Sequence, residues 1–99
     1  MTKKIVVTGI GATTPLGGTA SDSWNALLAG ESGAATLAYD WVSELELPVT
    51  FAAEAKVRPS EVVERQELKR LDPMSQYALI ASREAWADAG SPEVAPERL

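Results

Sequence analysis

The chain has 99 residues, of which 45% are apolar and 23% charged, with a formal net charge of −5 and neither cysteine nor histidine. These values fit at most one ordinary globular domain, and the acidic balance argues against nucleic acid or an anionic membrane as the main partner. Disulfides, thiolate metal sites and the commonest general base are excluded, and no apolar run approaches the roughly 18 residues that span a bilayer. We therefore expect a cytoplasmic protein without a metal site.

The first predicted unit is a strand, a glycine-rich loop and a helix. Lys4–Thr8 is rich in Ile and Val, which indicates a strand buried on both faces between helices. Residues 9–18 contain four glycines and a proline and are predicted to form a loop. Thr19 is the predicted N-cap of the helix that follows, and Gly30 its C-terminal stop. Three apolar residues at helical spacing give this helix one apolar face: Trp24, Leu27 and Leu28.

The middle of the chain has weaker signals. Residues 31–48 lack a clear period and are predicted to be irregular, whereas Val49–Ala55 has the pattern of a strand. Ser60 is the predicted cap of a short helix that reaches Val63 and extends toward Arg70.

The last predicted element is a long helix. Asp72 followed by Pro73 is a helix start signal, and Gly90 is the stop after Ala89. Apolar residues occupy several faces of this helix, so it needs cover on several sides. Its alanines permit close approach of a neighbouring element.

The glycine loop has some features of a dinucleotide-binding fingerprint. Gly9 and Gly11 match the first two glycines of GxGxxG, but the third place is Thr14. Pro15 also removes a backbone N–H from the loop that would bind phosphate. The favoured interpretation is a structural turn whose glycines let backbone segments pack closely. An NAD(P)-binding oxidoreductase stays open as the less favoured alternative.

Three stretches in register resemble one enzyme family: VVTGIGATTPLG, SWNALLAGESG and ERQELKRLDPMSQYALIASREAWADAG. Together, from Ile5 to Gly90, they resemble the N-terminus of the β-ketoacyl-acyl carrier protein synthases, with the bacterial elongating type as the best match. The resemblance implies an α/β protein, the N-terminal portion of a thiolase-like layered α/β/α fold that is incomplete in this chain. Residues 1–99 would be a segment of a ketosynthase domain, with no complete domain.

The resemblance also implies a reaction. Such synthases condense an acyl chain with malonyl-acyl carrier protein, with decarboxylation, in fatty-acid or polyketide biosynthesis. They use a Cys nucleophile and two His residues, and this chain has neither residue type. We therefore expect no catalytic residue in this chain and no activity from the 99 residues alone. The family works as a homodimer without a metal or organic cofactor, since the carrier protein supplies the phosphopantetheine arm. A non-catalytic chain-length-factor-like partner subunit is the alternative.

One candidate site falls inside the chain. Arg65, Lys69 and Arg70 match a region where the family places basic residues that dock the acidic acyl carrier protein. Arg65 and Lys69 are spaced i, i+4 and share a helix face. The alternative is an ordinary surface cluster whose charge is balanced by Glu64 and Glu67.

Overall fold

The described residues form several short helices, one helix of 16 residues and a two-stranded sheet. A computed structural model describes residues 2–99. In chain order the elements are α1 (Ala20–Leu28), β1 (Ala34–Thr36), α2 (Asp40–Glu44), β2 (Phe51–Ala53), α3 (Pro59–Val62), α4 (Arg65–Leu68), α5 (Pro73–Asp88) and a 3₁₀ helix (Pro96–Arg98). The two strands pair antiparallel, with Ala35 opposite Ala52. Among residues 2–99 we find no helix with the length and apolar character that a membrane crossing requires.

Helix α1 begins and ends as the sequence predicts. The Thr19 Oγ1 atom accepts the Asp22 N–H at 3.1 Å, which satisfies a donor that the helix itself leaves free. At the other end Gly30 has φ of 73°, and its N–H donates to the Leu27 carbonyl at 3.1 Å. The predicted apolar face is present but exposed, because the described residues place nothing over it: Trp24, Leu27 and Leu28.

Helix α5 also has the predicted ends. Asp72 is the N-cap, its Oδ1 atom accepts the Ser75 N–H at 2.8 Å, and Pro73 takes the first helical position. Because the Ser75 backbone and side chain donate hydrogen bonds to it, the pKa of the Asp72 carboxyl lies below its ordinary value. Gly90 has φ of 85° and follows the helix. No residue of α5 is buried, in agreement with the predicted need for cover.

The predicted cap at Ser60 is wrong. Helix α3 begins two residues earlier, with Pro59 at the first helical position and Arg58 at the N-cap. The Arg58 N–H donates to the Glu61 carboxylate at 2.7 Å. Since proline fixes the helix start, Ser60 lies inside the first turn. Val63 then adopts an extended conformation and is buried, which separates α3 from α4.

Residues 31–48 are more regular than predicted, since they contain β1 and α2. Strand β1 is set by pairing with β2, a contact between distant residues that a local pattern does not reveal. The predicted strand Val49–Ala55 is confirmed in a shorter form, Phe51–Ala53. Helix α2 carries an aromatic pair, in which the rings of Tyr39 and Trp41 stack with centroids 5.2 Å apart.

The predicted strand at Lys4–Thr8 is not formed within residues 2–99. A strand needs a neighbour to pair its N–H and C=O groups, and no described segment lies alongside it. Ile5 is 96% exposed and Val7 is 80% exposed. The apolar pattern is thus present without the sheet that would bury it.

The described chain has a very small core. Its buried apolar side chains are Ala26, Val42 and Val63. Its radius of gyration is 17.6 Å, whereas a compact domain of this length has about 13 Å. Its accessible surface is 8229 Å², against roughly 5400 Å² for a folded monomer of this mass. Most of its apolar surface therefore lacks cover from these residues.

Candidate functional site

The glycine loop packs directly on the backbone of α5. A Cβ atom added to Gly9 would lie 2.7 Å from the Ala89 nitrogen, and one added to Gly11 would lie 2.7 Å from the Ala85 nitrogen. Both distances are shorter than side chains tolerate, so glycine is required at both positions. This contact confirms that the glycines permit close packing and that the alanines of α5 admit a neighbouring segment.

Two carboxylates of α5 accept hydrogen bonds from the loop. The Glu84 Oε2 atom accepts the Ala12 N–H at 3.1 Å, and its Oε1 atom accepts the Ala20 N–H at 2.7 Å. The Asp88 Oδ2 atom accepts the Ile10 N–H at 2.9 Å. Glu84 therefore joins the loop, the first residue of α1 and α5 in one bridge. Its negative charge also lies at the N-terminus of α1, where the helix dipole favours an anion.

The rest of the loop is closed around Thr14. The Thr14 N–H donates to the Gly17 carbonyl at 2.9 Å, and the Thr14 Oγ1 atom accepts the N–H groups of Leu16 and Gly17. Its hydroxyl also lies 2.7 Å from the Ser23 Oγ atom. Two carboxylates face the loop, and five N–H groups of the loop are thus engaged by the protein: Ile10, Ala12, Thr14, Leu16 and Gly17. This arrangement argues against a nucleotide site.

The three predicted docking residues lie on one short exposed segment formed by α4 and the turn after it, here called the basic turn: Arg65, Lys69 and Arg70. Arg65 begins α4 and Lys69 caps its C-terminal end, with the Lys69 N–H donating to the Arg65 carbonyl at 3.3 Å. Within residues 2–99, no carboxylate oxygen lies within 4.0 Å of the charged nitrogens of these side chains. The predicted shared face is thus present, and Glu67 does not balance its charge by direct contact.

Side chains of α5 form hydrogen bonds with the segment that carries the basic turn. Arg83 forms a two-pronged ion pair with Glu67, with Nη2 at 2.8 Å from Oε1 and Nη1 at 3.3 Å from Oε2. The bond to Glu67 raises the pKa of the Arg83 guanidinium. The Gln76 side-chain amide donates to the carbonyls of Leu68 and Leu71 at 3.2 and 3.0 Å. Two α5 side chains therefore contact α4 and the residues that follow it.

Other polar groups do not assemble into a reaction centre. Within the described part of the chain, no group of three or more Asp or Glu residues is arranged to hold a metal ion. The Tyr39 hydroxyl donates to the Glu54 carboxylate at 2.7 Å, and this bond raises the pKa of the exposed Tyr39 phenol. The buried Thr13 Oγ1 atom has no hydrogen-bond partner among these residues.

Comparison with known proteins gives the family. The model of the β-ketoacyl synthase N-terminal domain matches residues 2–98. The chain belongs to this family.

Two named relatives support this family assignment. The chain is 36% identical over 89 residues to 3-oxoacyl-[acyl-carrier-protein] synthase 2 of Coxiella burnetii, which covers 89% of the chain and 21% of that relative. It is 38% identical over 95 residues to the enzyme of the same name from Mycobacterium bovis, which covers 96% of the chain and 23% of that relative. The β-ketoacyl synthase segment described here therefore spans about a fifth of the length of these relatives.

Reasoning from the sequence did not identify the residues that contact the glycine loop and the basic turn. Glu84, Asp88, Gln76 and Arg83 all lie on α5, and their partners are 5 to 78 positions away in the chain. A repeated spacing was the one available signal, since Glu84 and Asp88 are i, i+4 and share a helix face.

Proposed function

We propose that this chain is part of a 3-oxoacyl-acyl carrier protein synthase. That enzyme joins an acyl chain to malonyl-acyl carrier protein with loss of carbon dioxide. The observation that carries the proposal is the family match over residues 2–98, supported by relatives named 3-oxoacyl-[acyl-carrier-protein] synthase 2. We propose fatty-acid elongation rather than polyketide synthesis, since the bacterial elongating type is the best match to the sequence.

In this proposal the 99 residues have a scaffolding and docking role. They contain no thiol and no imidazole, so the nucleophile and the groups that stabilise developing charge are residues outside this segment. Lys4–Thr8 would be a core strand of a thiolase-like layered α/β/α fold, and the exposed faces of α1 and α5 would pack inside that fold and its homodimer. The enzyme would work in the cytoplasm and would need no organic cofactor beyond the phosphopantetheine arm of the carrier protein.

The basic turn is the proposed docking surface for the acyl carrier protein. Arg65, Lys69 and Arg70 are exposed and lie on one short segment of an otherwise acidic chain. An acidic partner would be attracted to this turn, and such attraction raises the association rate more than the final affinity. The effect weakens with salt, because the charges are exposed to solvent.

Charge reversal tests the docking proposal in the complete enzyme. The Lys69→Glu/Arg70→Glu variant should raise the KM for acyl carrier protein roughly tenfold or more at low salt, with a much smaller effect on kcat. The matched control is Lys3→Glu/Arg98→Glu, which changes the net charge by the same amount at exposed residues outside the basic turn and outside the proposed core strand. Equal effects of the two variants, or no effect of either, would contradict docking at this turn.

An activity assay tests the proposed reaction itself. The complete gene product, incubated with acyl- and malonyl-carrier protein, should release carbon dioxide and form a 3-oxoacyl product. A complete protein that instead forms a heterodimer with a separate synthase and releases no carbon dioxide would support the chain-length-factor alternative.

A further inference from the structure

The basic turn contains an acidic residue. Glu67 lies between Arg65 and Lys69 in the sequence, and it is three residues before Arg70. Side chains three apart on a helix are neighbours, and the Arg70 N–H already donates to the Glu67 carbonyl at 3.0 Å. A free Glu67 carboxylate could therefore pair with the Arg70 guanidinium. That pair would remove one of the three cations from any encounter with an acidic partner.

In the structure the Glu67 carboxylate pairs with Arg83 instead of Arg70. Both of its carboxylate oxygens are engaged by Arg83 of α5, at 2.8 and 3.3 Å, in a fork that fits the guanidinium geometry. The side chains of Arg83 and Glu67 are 54% and 40% exposed. An exposed pair of this kind contributes little to stability, so its main effect is on the local charge and on where the carboxylate lies.

We infer that Arg83 is a positioning residue for carrier-protein docking: it holds Glu67 away from Arg70 and keeps the basic turn free to bind an acidic partner. This inference rests on the proposed function. Arg83 works through Glu67, and its own charge is secondary. Helix α4 has four residues, too few for it to be stable alone.

Gln76 supports the same arrangement from the other end of the turn. Its amide holds the carbonyls of Leu68 and Leu71, so the C-terminal end of α4 faces a donor from α5. Of these two α5 residues, Arg83 is the one that engages a charged side chain, that of Glu67. The two α5 residues thus have separable effects, one on the backbone of the turn and one on its charge.

A double-mutant cycle in the complete enzyme tests the inference. The association rate with acyl carrier protein is measured by stopped-flow fluorescence over a range of salt for wild type, Arg83→Gln, Glu67→Gln and the double variant. Arg83→Gln should slow association about threefold at low salt and flatten its salt dependence. In the Glu67→Gln background the same substitution should have well under half that effect on a logarithmic scale, because no carboxylate remains to be released.

Two further variants sharpen the result. Arg83→Lys keeps the charge and should restore most of the rate, while Arg98→Gln removes one positive charge from the 3₁₀ helix and should leave the rate within about 1.3-fold. Equal factors for Arg83→Gln in both backgrounds would mean that Arg83 acts as a surface charge, which would overturn the inference. A fall in kcat and in thermal stability without a change in the association rate would mean a merely structural role and would also overturn it.

The proposed function fails in a different way. If the Lys69→Glu/Arg70→Glu variant associates with carrier protein as fast as wild type, docking at the basic turn is wrong, and the inference falls with it. If that variant is slow but the cycle is additive, docking stands and only the role of Arg83 is wrong.

Discussion

The bridge made by Glu84 can be tested by removing its carboxylate. In Glu84→Ala the N–H groups of Ala12 and Ala20 lose their acceptor, at present 3.1 and 2.7 Å away. Both donors are partly buried, so water replaces the carboxylate only in part. Hydrogen bonds to a charged group contribute about 1.5–3 kcal/mol each, and with partial exposure we take about 2 kcal/mol for the two together. That figure corresponds to a roughly thirtyfold change in a local opening equilibrium.

Amide hydrogen exchange measures this opening at the two donors themselves. In Glu84→Ala the Ala12 and Ala20 amides should exchange about thirtyfold faster than in wild type. Glu84→Gln retains one oxygen acceptor and turns an NH₂ group toward the second donor, so one amide should stay protected. The control is Glu93→Ala, which removes the same charge from an exposed residue after α5. Exchange rates in Glu84→Ala equal to those in the control would refute the bridge.

Three other outcomes follow from the described contacts. Gly11→Ala should destabilise the protein by about 3 kcal/mol, since its Cβ would collide with the α5 backbone. Gly30 has a positive φ but open space around it, so Gly30→Ala should lower the free energy of unfolding by only about 1–2 kcal/mol. Denaturant unfolding that gives the same loss for Gly11→Ala and Gly30→Ala would contradict this. Because the folded pKa of Asp72 lies below its unfolded value, its cap stabilises α5 fully above pH 3.8 and is lost as pH falls through the folded pKa. Asp72→Asn should lack this step in an acid titration followed by circular dichroism, and a step that persists would rule the cap out as its origin. Titration with NADPH should leave nucleotide fluorescence unchanged, whereas a blue-shifted, quenched signal would restore the nucleotide alternative.

Helix ends were predictable because their chemistry is local. Thr19 and Asp72 cap helices through backbone groups three residues away, and Gly30 and Gly90 end them through a positive φ that glycine adopts without strain. Such signals lie within a few residues and can be seen in the sequence. The error at Ser60 has the same origin, since a serine and a neighbouring proline compete to mark one helix start and the proline decides it.

The contacts that define the two functional features were not predictable in the same way. The Ala12 N–H and Glu84 are 72 positions apart, and Glu67 and Arg83 are 16 apart. A carboxylate on a helix face has the same local pattern whether it binds a backbone donor or faces solvent. The sequence could show that the glycine loop lacks a phosphate fingerprint, but not which groups engage its N–H donors instead.

The small core gives the exposed apolar faces a common explanation. Lys4–Thr8 has the composition of a strand buried on both faces, and α5 has apolar residues on several sides, yet residues 2–99 bury neither. Exposed patches of this extent are rare on monomers that work alone, because they cost solubility and favour association. The chain spans about a fifth of the length of the relatives it matches. Under the proposed function, a larger thiolase-like core that includes this segment would supply the cover. The basic turn differs from these apolar faces. It is the candidate surface that needs no such cover, because its charges favour solvent and an acidic partner.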